Sequence, residues 1–164
     1  MGIAAEDILN YVIRPTLTKM GVNDPAAEQL LLATAAIESS LGMTLKSQSQ
    51  RGSGLFRMHG LTHRNIWDDY LAMRADLASQ VRGMASQREF LNDPHAELAT
   101  NLRYAAALAW LAYVRQPNFK LPAHPSVRQL GELWKQFYHP RNDKSIEDFV
   151  ERHKELIAIT TEAA

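Results

Sequence analysis

The 164-residue chain contains no cysteine, which excludes disulfide bonds, a thiol nucleophile and cysteine-ligated zinc. No apolar run reaches the roughly 18 residues that a membrane-spanning helix needs, so we expect no membrane insertion. The eighteen basic and eighteen acidic side chains cancel each other. A neutral chain has no overall field that attracts nucleic acid or an anionic membrane, and we expect neither as a partner.

The N-terminal segment also lacks the features of a signal peptide. The first predicted helix carries Glu6, Asp7 and Arg14 in place of a basic start followed by an apolar centre. We therefore expect synthesis and folding in the cytoplasm, with delivery by another route if the protein acts outside the cell.

Helical periodicity dominates what the sequence does contain. Hydrophobic residues make up 46% and charged residues 22%, as in an ordinary globular protein, and the length fits a single domain over residues 1–164. Apolar spacing and capping residues predict a mainly α fold, with a kink at Pro15. The predicted helices cover residues 4–20, 25–40, 62–70, 75–84, 93–115, 127–138 and 145–159.

Residues 43–61 interrupt this pattern, because they are rich in Ser, Gln and Gly and have no helical stripe. Long irregular segments of compact domains are often functional. We expect a polar loop or a small hairpin that forms one side of a cleft. Gly52 and Gly54 bracket a serine and would let a ligand approach the backbone, although an ordinary tight turn is the favoured interpretation of that motif alone.

Glu38 is the only ionisable side chain between Gln29 and Gly42. Burial against apolar walls disfavours the charged form of a carboxyl group and keeps it protonated near neutral pH, as a general acid requires. The spacing leaves a second interpretation open, in which Glu38 ends its helix at the surface and has no chemical role. Taken alone, the spacing favours that second interpretation.

Other patterns that carry chemistry are weak. His59 and His63 have a metal-ligand separation only across a turn, and no H-E-x-x-H motif is present, so we expect no metal and no cofactor. Asn101 and Tyr104 are spaced i, i+3 and could present hydrogen-bonding groups to a cleft. Most Trp and Tyr residues fall on helical stripes and are expected in the core.

The helix that ends in Glu-Ser, the polar loop and the following Gly-x-Gly-Leu-Phe-x-Met motif resemble the lysozyme-like superfamily, in particular soluble lytic transglycosylases and goose-type lysozymes. The stretches LLATAAIESSLG, GSGLFRMHGLTHRNIWDDYLAMRADL and LWKQFYHP are similar to phage virion proteins of this fold. The resemblance covers residues 25–155, most of the chain.

This resemblance implies a lysozyme-like domain that cleaves peptidoglycan at the β-1,4 bond between N-acetylmuramic acid and N-acetylglucosamine. It implies a phage particle as the location, other virion proteins as partners, and local degradation of the cell wall, in the periplasm or the wall itself, during infection. Glu38 would be the catalytic acid/base. The implied substrate-binding residues are Ser39, Gly54, Leu55, Phe56, Arg57, Asn101 and Tyr104.

Two features of the motif region bear on mechanism. No acidic residue lies between Ser39 and Leu61, which favours the single-acid transglycosylase mechanism with a 1,6-anhydro product over a two-carboxylate hydrolase. Arg57 stands where the family has glutamine. A guanidinium cannot accept a hydrogen bond, and its charge favours ionised Glu38, against a general-acid role. Alternatively, Arg57 binds lactyl or peptide carboxylates of the substrate.

The Arg57 position supports a second functional hypothesis. In that hypothesis the protein is a weak or inactive structural virion protein, of the tail or baseplate, that keeps the fold. A more distant alternative is a helical regulatory or adaptor domain without a sugar cleft.

Overall fold

The computed structural model describes residues 1–46 and 51–158. These residues form a mainly helical protein without a β-strand, as the periodicity predicts. Helix α1 covers residues 5–19 and changes from α to π geometry at Leu9–Ile13, shortly before Pro15. Pro15, where a kink is expected because proline has no N–H to donate, lies two residues after this π-helical turn.

The other helices follow in chain order. They are α2 (Pro25–Ser39), α3 (Gly60–Asn65, continued by Ile66–Tyr70 and Leu71–Met73), α4 (Ala75–Met84), α5 (Glu89–Asn92), α6 (Pro94–Ala96, continued by Glu97–Thr100), α7 (Leu102–Val114), α8 (Val127–Leu133, continued by Trp134–Tyr138) and α9 (Ile146–His153, continued by Lys154–Ala158). The predicted helices at 25–40, 75–84 and 127–138 are confirmed.

Helix α2 lies at the centre of the molecule. It begins where the Asp24 side chain accepts a hydrogen bond from the backbone N–H of Ala26 at 2.9 Å, and every residue from Leu30 to Ser39 is buried. A helix that is apolar all round needs partners on every side. One of these partners is α7, to which α2 is linked by a buried hydrogen bond of 2.7 Å between the hydroxyls of Thr34 and Tyr113.

The structure corrects two predicted boundaries. The single helix expected over 93–115 is wrong, because Asn101 has extended backbone angles and separates α6 from α7. Its side chain accepts a hydrogen bond from the N–H of Tyr104 at 3.1 Å, so Asn101 starts a new helix as its N-cap. Helix α3 begins at Gly60, before the Thr62 that was expected to cap it.

Residues 43–61, for which a polar loop or a small hairpin was expected, contain isolated bridges in the part that the structure describes. Ser53 forms isolated antiparallel bridges with Lys46 and with Met58, and residues 47–50 lie outside the described part of the chain. The segment from Ser53 to Met58 is a tight turn closed by two backbone hydrogen bonds of 3.0 and 3.2 Å. This turn packs between the end of α2 and the end of α8.

Candidate active site

Glu38 is buried in the last turn of α2, with 4% of its surface exposed. The interpretation that it points into solvent is therefore wrong. Its Oε1 accepts a hydrogen bond of 3.0 Å from Nε1–H of Trp134 and lies 2.8 Å from Nδ1 of His139. Both partners are themselves buried and come from the end of α8. The chain thus encloses one carboxyl group with two specific polar partners.

His139 connects Glu38 to a second carboxylate. Its Nε2 donates to Oδ1 of Asp143 at 2.7 Å, and its ring stacks on that of Trp134 with centroids 4.9 Å apart. The hydrogen bond from His139 lowers the pKa of Asp143. Next to Asp143, Nζ of Lys144 donates to the carbonyl of Ile37 at 3.0 Å, which ties this segment to α2. The imidazole is held in orientation from both sides.

A third side chain contacts this group. Nη2 of Arg141 lies 3.1 Å from Nδ1 of His139, the same ring nitrogen that lies 2.8 Å from Oε1 of Glu38. An imidazole nitrogen forms one strong hydrogen bond in the plane of the ring, so Glu38 and Arg141 share one partner. Glu38, His139, Arg141 and Asp143 are thus one connected polar group.

The turn after the polar loop brings Arg57 to the same place. Gly54 has φ +86°, and a Cβ there would lie 1.7 Å from the backbone oxygen of Leu98. A Cβ on Gly52 would lie 2.0 Å from the backbone oxygen of Arg57. Only glycine fits at either position, and the two close approaches fix the turn.

The side chain of Arg57 is buried, with 5% of the residue exposed, and its backbone has φ +49°. Nη2 donates to the carbonyl oxygen of Thr44 at 2.8 Å and to the Thr44 hydroxyl. Nε and Nη1 are buried and have no hydrogen-bond partner among the described residues. Burial lowers the pKa of Arg57, although the nearby Glu38 acts in the opposite direction. Arg57 is thus a buried cation with unused donors.

Glu38 and Arg57 line a cavity of about 420 Å³. This volume is within the range of small-molecule sites. His59 lies at its wall, and its pKa is lowered by burial and by the neighbouring Arg141. The charged side chains of the cavity are four cations, Arg51, Arg57, Arg141 and Lys144, and two acids, Glu38 and Asp143.

The residues predicted for substrate binding divide into separate groups. Leu55 and Phe56 are core residues whose backbone oxygens hold the turn, accepting at 2.6 Å from the hydroxyls of Ser39 and Tyr138 respectively. Gly54 packs against the Leu98 backbone. Of the predicted set, only Arg57 lines the 420 Å³ cavity with Glu38, and Ser39 joins both of them at a second cavity of about 490 Å³.

Asn101 and Tyr104 do not line the Glu38 cavity. Their i, i+3 spacing is used for the helix cap described above. Tyr104 is fully buried in a separate polar group, where its hydroxyl accepts from Nε1 of Trp67 at 2.9 Å and lies 2.6 Å from Nε2 of His63. Tyr104 therefore does not reach the cavity beside Glu38, where the sequence predicted that it would bind substrate.

The partners of Glu38 were missed in the sequence. Trp134 falls on a helical stripe and was expected to be a core residue, which it is, but its indole N–H also binds the acid. No site role was predicted for His139 or Asp143. The available signal was the polar segment HPRNDK directly after the aromatic end of α8, at residues 139–144.

Residues 1–46 and 51–158 contain neither a cluster suited to a metal ion nor a helix suited to spanning a membrane. Within them no group of three or more His, Asp or Glu side chains could hold a metal ion. His59 lies at the Glu38 cavity, whereas His63 is buried and bonded to Tyr104 and His95. No helix in the same ranges combines the length and the apolar character that crossing a bilayer requires.

Comparison with known proteins yields no relative of this chain. No protein-family model matches it, and neither does any curated protein or solved structure.

Proposed function

We propose that the protein is a peptidoglycan-cleaving glycosidase, a lytic transglycosylase or muramidase, in which Glu38 is the general acid/base at the β-1,4 bond between N-acetylmuramic acid and N-acetylglucosamine. The observation that carries the proposal is the hydrogen-bond arrangement around Glu38. A buried carboxyl group that is held by two specific partners beside a ligand-sized cavity is suited to exchanging a proton with a glycosidic oxygen.

The same surroundings support the second half of the reaction. Once Glu38 has given up its proton, its negative charge is stabilised by the N–H of Trp134 and by the cations of the cavity. The ionised carboxylate can then remove a proton from the attacking hydroxyl. His139, held by Asp143, keeps the carboxyl group in one orientation through both steps.

The choice between the two glycosidase mechanisms depends on a second carboxylate. Asp143 is the other acid at the cavity, and its Oδ1 is already bound to His139. We favour the single-acid transglycosylase mechanism, since the loop contains no acid and Asp143 supports the imidazole. Mass spectrometry of released fragments distinguishes the two, because a 1,6-anhydro end is lighter by one water than a hydrolysed end.

A structural virion protein of the tail or baseplate with weak or no activity is the second candidate, favoured by the buried charge of Arg57 beside Glu38. The resemblance to phage virion proteins supports delivery in a phage particle under either candidate. The two candidates differ in whether Glu38 matters for turnover and not in the fold.

The test is clearing of purified peptidoglycan by the wild type and by Glu38→Gln. We expect clearing by the wild type and a loss of about a hundredfold or more in the variant, in the range for removal of a general acid. Glu97→Gln is the matched control, because Glu97 is also a buried glutamate but is bound to Ser86 and Asn101 outside the cavity. If the folded wild type and Glu38→Gln are both inactive, the glycosidase proposal is wrong and the structural virion protein is the remaining candidate.

A further inference from the structure

We propose that the buried contact between His63 and His95 is an acid-sensitive latch, which holds the start of helix α3 against α6 at neutral pH and releases it in acid. Nδ1 of His63 lies 2.9 Å from Nδ1 of His95, and Nε2 of His63 lies 2.6 Å from the hydroxyl oxygen of Tyr104. Neither histidine lines the Glu38 cavity, and the latch does not depend on the proposed glycosidase activity.

The start of α3 rests on these two histidines. In the described segment Gly60–Asn65, His63 is the one buried residue. The ring of His95 lies against the backbone of Gly60, where an added Cβ would be 3.4 Å from its Nε2. Ile66, a buried apolar side chain of α3, comes only after this segment. A titratable side chain therefore holds the part of the helix that has no apolar anchor of its own.

The hydrogen bonds of the two rings are satisfied when both rings are neutral. The Tyr104 hydroxyl accepts from Nε1–H of Trp67 at 2.9 Å and donates its own hydrogen to Nε2 of His63. Nδ1–H of His63 then donates to Nδ1 of His95. Only one hydrogen fits between the two Nδ1 atoms. When both rings are charged, two N–H groups face each other at 2.9 Å, so acid breaks this contact.

The surroundings oppose a charge on His63. Burial lowers its pKa to about 4, and the neighbouring His95 acts in the same direction. Glu97 is the acid that faces the pair from α6, and its charge acts in the opposite direction. The carboxylate of Glu97 is already bound by the side chains of Ser86 and Asn101. The neutral form of His63 is thus the one that fits the closed structure.

The groups that face the pair from α7 and α4 do not compensate a charged imidazole. Burial raises the pKa of Tyr104, which stays neutral. Arg82 is a cation near Tyr104, and its guanidinium lies 4.4 Å from the ring centre of Phe90. His95 itself is only half-buried, which gives solvent protons a route to the pair.

The pH range of the latch follows from these environments. When the start of α3 opens, His63 is solvated and regains its ordinary pKa of about 6.5. The closed state is therefore lost as the pH falls from about 6.5 towards about 4, because in this range the open state binds the proton and the closed state does not. Between pH 7.5 and pH 4.5 the open population should increase by roughly fiftyfold.

Hydrogen exchange followed by mass spectrometry measures this opening in the full-length protein. Protection factors compare the measured exchange rate with that of an unstructured peptide at the same pH. From pH 7.5 to pH 4.5 we expect the protection of residues 60–66 to fall by roughly fiftyfold, while α2 keeps its protection. His63→Gln should lose this pH dependence. His95→Gln should weaken it, because its amide oxygen accepts a hydrogen bond from a charged His63. The exposed His124→Gln is the control that should behave as the wild type.

The outcomes separate the latch from general acid unfolding. Unchanged protection of residues 60–66 at pH 4.5, or an equal loss in the wild type and folded His63→Gln, would overturn the latch. A parallel loss in α2 and α3 would also overturn it, because the chain would then unfold as a whole. If His63→Gln does not fold, the full wild-type response in His95→Gln would have the same meaning. A loss confined to the start of α3 and weakened by these substitutions establishes the latch, whether or not the protein clears peptidoglycan.

Discussion

The turn that carries Arg57 depends on Gly54. Three glycine-to-alanine substitutions separate the physical reasons why a glycine is needed at a given position. Gly54 has both a positive φ and no room, since a Cβ would lie 1.7 Å from the Leu98 carbonyl oxygen. Gly21 has a positive φ of 77° with nothing within 4 Å of the added carbon. Gly83 lies in α4 with neither constraint. The three positions therefore isolate the steric clash, the backbone strain and the intrinsic helix preference.

The expected changes in the free energy of unfolding follow from these environments. A non-glycine residue in the left-handed region costs about 1–2 kcal/mol, and this is the expected loss for Gly21→Ala. Gly54→Ala adds overpacking against a backbone atom, about 1–3 kcal/mol more, for a loss of about 2–5 kcal/mol. Gly83→Ala should stabilise the protein by about 0.5–1 kcal/mol, because alanine is the better helix former.

Urea denaturation followed by circular dichroism measures all three differences. The wild type and the variants should unfold with similar denaturant dependence, so that midpoints can be compared. A Gly54→Ala variant no less stable than Gly21→Ala would refute the reasoning, because it would show that the turn moves away from Leu98 without cost. In the expected case, peptidoglycan clearing by Gly54→Ala should fall as well, because Arg57 follows the turn.

Two further predictions test the buried polar groups. Burial lowers the pKa of His63 to about 4, with a further contribution from His95, so the unfolded chain binds a proton at higher pH than the folded protein. Stability should therefore fall as the pH drops from about 6.5 to about 4, by about 3 kcal/mol from this residue. Urea unfolding at both ends of this pH range measures the loss of stability. The loss should be smaller in His63→Gln than in the wild type, and in the exposed His124→Gln it should equal that of the wild type. Equal losses in all three proteins would contradict the role given to His63. Trp134→Phe removes the N–H donor to Glu38 but keeps a ring, and clearing should slow roughly tenfold or more. Trp67→Phe removes a comparable donor outside the cavity and should clear at the wild-type rate, so a Trp134→Phe variant as active as Trp67→Phe would show that the indole N–H does not support the acid.

Much of the helical architecture could be predicted because its signals are local. The cap at Asp24, the following proline and the apolar run predict α2, and the run also places Glu38 among buried neighbours. Local sequence signals did not predict the helix break at Asn101. An apolar stripe continues past this residue, but the side chain competes for the backbone and divides the helix, which removes Tyr104 from the expected face.

The sequence by itself determined a mainly helical chain, the buried central helix and the isolated acid near its end. Tertiary structure decided what that acid touches. Trp134 and His139 lie 96 and 101 positions beyond Glu38, and no periodicity connects residues so far apart. Their contacts depend on α7 and α9, which pack against both α2 and α8. The same holds for Arg57, whose burial and unused donors follow from the close packing of a turn against two helices, a property of the assembled fold and not of the local sequence.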